Sequence, residues 1–174
     1  DGIGTTSFFI LNSAGVETDV RTGQLIAIVE DQKAQNTAAQ ALANATDNIR
    51  ELTTIVFNRN TLVSLATNRI TVPAGTWEIV WEAMTYNTSG TETATQSFLY
   101  NQTDAAEVAR GTVTNADESS TVHTLSTSGS IVTTIAASKA FEIRHRVAGA
   151  ASIQGGFPGN MGTEVYTRVT IRRV

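Results

Sequence analysis

Residues 70–84 of the chain read ITVPAGTWEIVWEAM and contain both of its tryptophans, Trp77 and Trp81. Successive side chains of a β-strand point to opposite faces, so Trp77, Ile79 and Trp81 share the apolar face of a strand predicted over 76–86. The preceding Pro-Ala-Gly offers the fixed φ and the tolerance of positive φ that a reversing turn needs. The stretch therefore predicts two strands, 69–72 and 76–86, joined by a tight turn.

The two tryptophans have two interpretations. In a core, each indole would bury on the order of 200 Å² of surface. On a surface, the pair would form a platform on which sugar rings stack. Stacking platforms need exposed rings, whereas these indoles lie on the apolar face of the strand, so the sequence favours the core.

Composition limits the class of protein. The chain has 174 residues, of which 41% are hydrophobic, which is enough for one domain with a core. Its formal net charge of -4 provides no basic stripe for nucleic acid, and it contains no Cys. No apolar run approaches the roughly 20 residues that span a bilayer, so membrane insertion is not expected.

Short segments rich in Val, Ile, Thr and aromatic residues alternate with Gly, Asn, Asp and Ser clusters, which is typical of an all-β sandwich. Strands are predicted at 6–11, 24–30, 52–58, 62–66, 69–72, 76–86, 95–101, 107–113, 120–126, 130–136, 140–147 and 163–173. The Ala-rich stretch 34–48 is expected to be a surface loop carrying at most a turn of helix. We expect residues 1–23 to form an N-terminal arm or a linker to an upstream segment, and residues 24–174 to form the domain.

The sequence contains only weak signals for a catalytic site or a metal site. His145 shares the apolar face of strand 140–147 with Phe141 and Ile143, where a core or interface histidine is more common than a ligand. His123 stands apart in another alternating run, and no carboxylate spacing completes a zinc site. The sequence has no Gly-x-Ser-x-Gly elbow, phosphate-binding loop or His-Glu-x-x-His motif. We expect no enzyme activity, no cofactor and no metal.

Five motifs in a fixed order carry a family resemblance. They are NIRELTTIVFN (48–58), NRITVPAGTWEIVWEA (68–83), SFLYNQTDAAEVARGT (97–112), KAFEIRHR (139–146) and GGFPGNMGTEVYTRVTIRRV (155–174). Together they resemble the terminal domain of bacteriophage fibre and other virion proteins, which is similar to the C1q and tumour-necrosis-factor jelly rolls. The resemblance covers about 24–174, and the chain departs from it at 34–48.

The resemblance implies a single all-β jelly-roll sandwich that assembles as a trimer through one sheet and displays loops at its distal end. Residues assigned to the core or to trimer packing are Trp77, Ile79, Trp81, Phe141, Ile143, His145, Phe157 and Val165. Loops 87–93, 115–119 and 148–161 are the candidate contact loops, because recognition tends to lie on loops held by a rigid sandwich. The candidate recognition residues are Tyr86, Asn87, Thr88, Asn115, Asp117, Gln154 and Asn160.

The function predicted on this basis is that of a virion structural protein, a trimeric fibre tip on the particle surface that binds a glycan or protein receptor of the host cell. An alternative is a capsid decoration protein of the same fold, anchored by its N-terminal arm to capsid or tail proteins. A carbohydrate-active enzyme is the third class, for which no paired carboxylates are evident.

Overall fold

A computed structural model describes residues 9–11, 17–19, 26–87, 93–116, 123–149 and 153–174. Fifteen strands lie in these ranges. They are β1 (Phe9–Leu11), β2 (Glu17–Asp19), β3 (Ile26–Lys33), β4 (Ala41–Leu42), β5 (Asp47–Ile49), β6 (Thr54–Asn58), β7 (Ser64–Ala66), β8 (Arg69–Val72), β9 (Gly75–Asn87), β10 (Thr93–Asn101), β11 (Ala106–Ala116), β12 (His123–Ile135), β13 (Lys139–Ala148), β14 (Ile153–Gln154) and β15 (Glu164–Arg173). One 3-10 turn, Arg59–Thr61, separates β6 from β7.

The strands form two large antiparallel sheets, as predicted for an all-β sandwich. The six-stranded sheet has the order β11-β10-β13-β8-β7, with β5 also on β13. The seven-stranded sheet has the order β4-β14-β9-β15-β3-β6, with β12 on the other edge of β9. β1 and β2 pair with each other in a separate two-stranded sheet.

The core lies between the two large sheets. Its largest apolar side chains among those no more than 1% exposed are Trp77, Trp81, Ile79, Leu99, Ile143 and Ile171. β9 carries both tryptophans on its inner face, as the alternation predicted, and Gly75 in the turn before them has a φ of 146°. The indoles are therefore core residues, and the Trp77 ring donates to the Pro73 carbonyl at 2.9 Å.

The predicted secondary structure was wrong at β12 and at the stretch 34–48, and it did not include β2 or β14. Within the described residues, the predicted strands 120–126 and 130–136 are parts of one continuous strand, β12 (His123–Ile135), in which Gly129 lies directly opposite Trp81 and leaves room for the indole. A side chain at 129 would overlap that ring. The stretch 34–48 has no helical turn and instead contributes β4 and part of β5.

Candidate functional site

Three of the chain's connections leave the sandwich at the same end. Asn87, the last residue of β9, lies opposite both His123 and Ile153, the first residues of β12 and β14. Thr93, the first residue of β10, lies opposite Ala116, the last residue of β11. The predicted contact loops therefore start or finish at one end of the molecule, which we call the loop end.

The candidate recognition residues have different environments at the loop end. Tyr86 and Asn87 belong to β9 and are buried, whereas Asn115 is exposed on β11. Gln154 is half-buried in β14, where it pairs with Ala41 and Tyr86. Thr88 and Asp117 lie outside the described residues. The alternation of strands places Asn115 outward, but the burial of Tyr86 and Asn87 depends on β14, which is too short to be predicted.

Asn160 lies in the loop between β14 and β15 and is used to hold that loop. Its backbone N–H donates to the Glu164 carboxylate at 2.7 Å, and its side-chain oxygen accepts from Gln35 at 2.8 Å. The same carboxylate accepts from the backbone N–H of Asn36 at 3.1 Å and from the Tyr166 hydroxyl. Glu164 thus joins loop 155–163 to the segment that precedes β4.

These hydrogen bonds change the acidity of both partners. The Tyr166 hydroxyl and the backbone N–H groups hold the pKa of Glu164 below its ordinary value of 4.5, because they stabilise the carboxylate. Burial and the neighbouring carboxylate raise the pKa of Tyr166. Glu164 is therefore ionised and Tyr166 neutral at neutral pH.

Arg50 ties the two sheets together beneath the same loop. Its backbone N–H donates to Ile143 in the six-stranded sheet at 2.8 Å. Its side chain crosses the interior, where Nε donates to the Thr167 hydroxyl at 3.0 Å and Nη2 donates to the Gly155 carbonyl at 2.7 Å. Burial lowers the pKa of Arg50 to about 10, with Asp31 nearby opposing the change, so the guanidinium remains charged at neutral pH.

Near the loop end, polar side chains enter the interior between the sheets beside a small apolar cluster of Leu42, Val147 and Ile153. The buried polar residues there are Thr85, Thr95, Ser97, Thr127, His145 and Thr167. Ser97 lies where they meet the main apolar core, and its hydroxyl accepts from the Trp81 ring at 3.0 Å and from Thr127 at 2.6 Å. These buried polar side chains support the loop end from inside.

His145 belongs to this polar interior. Its Nε2 is hydrogen bonded to the Thr95 hydroxyl, and the side chain is fully buried. Burial, together with the charge of Arg50, lowers the pKa of His145 to about 3. A neutral and inaccessible imidazole holds strands together and has no contact with solvent through which it could exchange protons with a ligand.

Of the eight residues assigned to the core or trimer packing, Phe157 and Val165 lie outside the core. Phe157 is half exposed in loop 155–163, and its ring packs on Tyr86 with centroids 4.5 Å apart. Val165 is half-buried beside a bulge in β15. The other six are buried between the sheets.

Sequence reasoning missed the roles of Arg50 and Glu142. Arg50 follows β5 outside any predicted strand, so alternation gave it no direction. Glu142 lies on the outer face of β13, as alternation predicts, yet its side chain is fully covered because Arg69 and Arg144 lie over it at 2.8 and 3.0 Å. Arg144 in turn stacks on Tyr100, 3.4 Å from the ring centroid.

Within the described residues, no group of three or more His, Cys, Asp or Glu side chains is placed to hold a metal ion. A search for helices that could cross a membrane found none in this part of the chain.

Comparison with known proteins identifies the fold. No family model and no curated protein sequence matches the chain. Among solved structures, murine APRIL at pH 5.0 has a TM-score of 0.53 at 9% identity, covering 87% of this chain and 99% of that one. Eiger TNF from S. frugiperda has a TM-score of 0.57 at 7% identity, covering 87% and 92%. A weaker likeness, with a TM-score of 0.44 at 13% identity, is to the globular domain of the zebrafish complement 1qA protein.

The predicted jelly roll of the C1q and tumour-necrosis-factor type is thus confirmed as the fold of this chain.

Proposed function

We propose that this chain is a bacteriophage virion protein, a trimeric fibre-tip domain on the particle surface that binds a host cell without catalysis. The observation that carries the proposal is the separation of two surfaces on a rigid sandwich. The outer face of the seven-stranded sheet suits association with further copies, and the loop end suits recognition. The sequence motifs described above are the support for a phage particle.

An apolar row crosses the middle of the outer face of the seven-stranded sheet. The register places Val80 of β9 between Ser130 and Thr170, and Ile28 and Phe57 continue the row to β6. Phe57 is 46% exposed, and the others in β3, β9 and β15 are half-buried. Contact with another copy would remove this apolar row from water.

Four of the charged side chains beside the row are paired within the chain. Arg168 contacts Glu30 at 2.6 Å, and Arg172 lies 3.6 Å from Glu78. Glu82, opposite Arg168, has no ion pair among the described residues and accepts a hydrogen bond from Ser126. Another copy that covers this face would therefore have to supply a partner for Glu82 or leave it at the edge of the contact. The family resemblance implies three copies around an axis, which is the assembly we propose.

The decoration protein remains the second candidate because one observation favours it. β1 and β2 pair with each other and with no strand of the two large sheets among the described pairs. A pair of strands that is separate from both large sheets fits an arm that anchors a subunit to a shell.

Immunoelectron microscopy distinguishes the two candidates. An antibody raised against the domain is expected to label the tips of fibres on intact particles, and the purified domain is expected to bind host cells. Label spread over the capsid would identify a decoration protein. Cleavage of host polysaccharide by the pure domain would contradict a purely binding role.

A further inference from the structure

Two rows of outward-facing side chains form a small surface on the six-stranded sheet at the loop end. The register aligns Asn115, Ala94 and Ala148 in the first row, across β11, β10 and β13. It aligns Val113, Gln96 and Arg146 in the second row. Because all six belong to strands, the backbone fixes their spacing.

The two alanines make this surface concave. Ala94 and Ala148 carry single methyl groups, whereas Val113, Gln96 and Arg146 beside them carry longer side chains. The resulting depression has a volume of about 170 Å³. Ligand pockets of about 300 to 1,000 Å³ hold drug-sized molecules, so this depression holds one small apolar substituent with its neighbouring polar groups.

Arg146 supplies a positive charge at the edge of the depression. Its Nη2 contacts Asp47 of β5, yet the side chain is 57% exposed, so its remaining N–H groups face solvent. Along the outer face of β13 and its neighbour β8, three guanidinium groups, those of Arg69, Arg144 and Arg146, meet two carboxylates, Glu142 and Asp47. Beside the depression, Arg146 is paired with Asp47, and the excess positive charge lies two residues further along β13, at Arg144.

We propose that this depression, the Arg146 site, binds an acidic sugar that carries an N-acetyl group. The acetyl methyl packs on Ala94, Ala148 and Val113, while the carboxylate accepts hydrogen bonds from Arg146 in a charge-assisted pair. The exposed amide of Asn115 is placed to bind a sugar hydroxyl. The inference rests on the proposed function, since it names the receptor chemistry recognised at the loop end.

A saccharide fits this surface better than an extended peptide. Peptides often bind by adding a strand to a sheet edge, but both edges of β10 are occupied by β11 and β13 along this surface. The Arg146 site also lies on the sheet opposite the proposed contact between copies. It therefore remains accessible in the trimer.

The test uses the purified chain and the methyl α-glycoside of N-acetylneuraminic acid, followed by saturation-transfer NMR and by amide shifts. We expect the acetyl methyl to receive the strongest saturation and the amides of Ala94, Gln96 and Ala148 to shift. Arg146→Gln is expected to weaken binding tenfold or more, because a charge-assisted hydrogen bond is lost. Ala148→Leu is expected to weaken it similarly by filling the depression without changing any charge.

Matched controls separate this site from general effects. Arg172→Gln removes a comparably exposed arginine, 43% against 57%, from the opposite sheet and is expected to leave binding unchanged. Methyl N-acetylglucosaminide lacks the carboxylate and is expected to bind more weakly. Thermal melting and the mass of each variant in solution show whether it still folds and assembles.

Three results would overturn the inference. One is no binding of the sialoside by the folded wild-type chain. Another is equal binding by wild type and Arg146→Gln. Equally tight binding of N-acetyl-glutamate would identify an acidic peptide as the ligand class. If the domain still binds host cells in any of these cases, the proposed function stands and only the Arg146 site is lost.

Discussion

At the scale of single residues, Trp81 and Gly129 are a complementary pair. The indole is 1% exposed and occupies the space that a side chain at position 129 would need. Its N–H is satisfied by Ser97 at 3.0 Å, so both the apolar ring and the polar atom have partners. The sequence predicts that Trp81 faces the core, but no local signal connects it to a glycine 48 residues away.

Trp81→Ala is expected to reduce the free energy of unfolding by about 3 to 5 kcal/mol, because it leaves a large cavity in the core. Urea or thermal unfolding measures the loss. Full stability together with lost ligand binding would show that the indole serves recognition instead. Gly129→Ala is expected to destabilise as well, through overlap with the ring, and Ser130→Ala on the exposed face of the same strand is its control.

Glu164 predicts a dependence of stability on pH. Its pKa is lowered on folding, so its carboxylate stabilises the fold fully above the ordinary value of 4.5. This contribution is lost as the pH falls below 4.5 and through the lowered value. In Glu164→Gln, unfolding measured between pH 6 and 3 is expected to depend less on pH. The exposed Glu107→Gln is the control, and parallel profiles for Glu164→Gln and wild type would contradict the assignment.

At the scale of elements, outer faces contain buried groups as well as exposed ones. Alternation along β13 places Glu142 and Arg144 outward, and the structure agrees. The alternation pattern predicts the direction of a side chain, but it does not predict whether long neighbouring side chains will cover it. Arg69 and Arg144 are long enough to cover the carboxylate completely, which turns an outward position into a buried ion pair between β8 and β13.

Glu142→Ala is expected to lower the free energy of unfolding by about 1.5 to 3 kcal/mol, because two charge-assisted hydrogen bonds are lost. Both arginines reach solvent, which keeps the loss below that of a fully buried pair. Glu107→Ala removes a surface partner of Arg110 and is expected to change stability by no more than about 0.5 kcal/mol. Chemical denaturation of both variants provides the comparison, and equal losses would contradict the ranking.

Short elements are the part of the topology that sequence patterns missed. β4 and β14 have two residues each, which is too few for an alternating pattern. They are held by tertiary contacts, for example the hydrogen bond from Gly155 to the Gln40 carbonyl at 2.7 Å. The long strands β9, β13 and β15 were predicted nearly to their ends, because a strand that faces a core over ten or more residues must alternate.

At the scale of the whole molecule, the two sheets have different tasks in the proposed trimer. The seven-stranded sheet has the apolar row that includes Val80, and the six-stranded sheet has the arginine-rich face of β13. The fold class followed from strand pattern and motif order. The gathering of three connections at one end was implied only by the family resemblance, because it depends on which strands pair across the sandwich.

Val80→Asp is expected to dissociate the proposed trimer, because it places a charge in the middle of the apolar row. Light scattering or sedimentation is expected to give three times the 18.5 kDa of the chain for wild type and a single chain for the variant. Thr71→Asp, half-buried on the outer face of the six-stranded sheet, is the control and is expected to remain trimeric. A trimeric Val80→Asp would place the contact on another surface.

The contacts of Arg50 and Glu164 with loop 155–163 determine which of its residues can be substituted without loss of the fold. Arg50 and Glu164 hold this loop through Gly155 and Asn160, the Phe157 ring packs on Tyr86, and Met161 projects outward. Residues 157–159, at the tip of this loop, take no part in the hydrogen bonds of Arg50 and Glu164 with Gly155 and Asn160. New sequences placed at 157–159 would change the side chains that the loop displays and remove the contact of Phe157 with Tyr86, but they would leave the hydrogen bonds of Arg50 and Glu164 in place. In the proposed function, this is a position at which receptor specificity could change without loss of the fold.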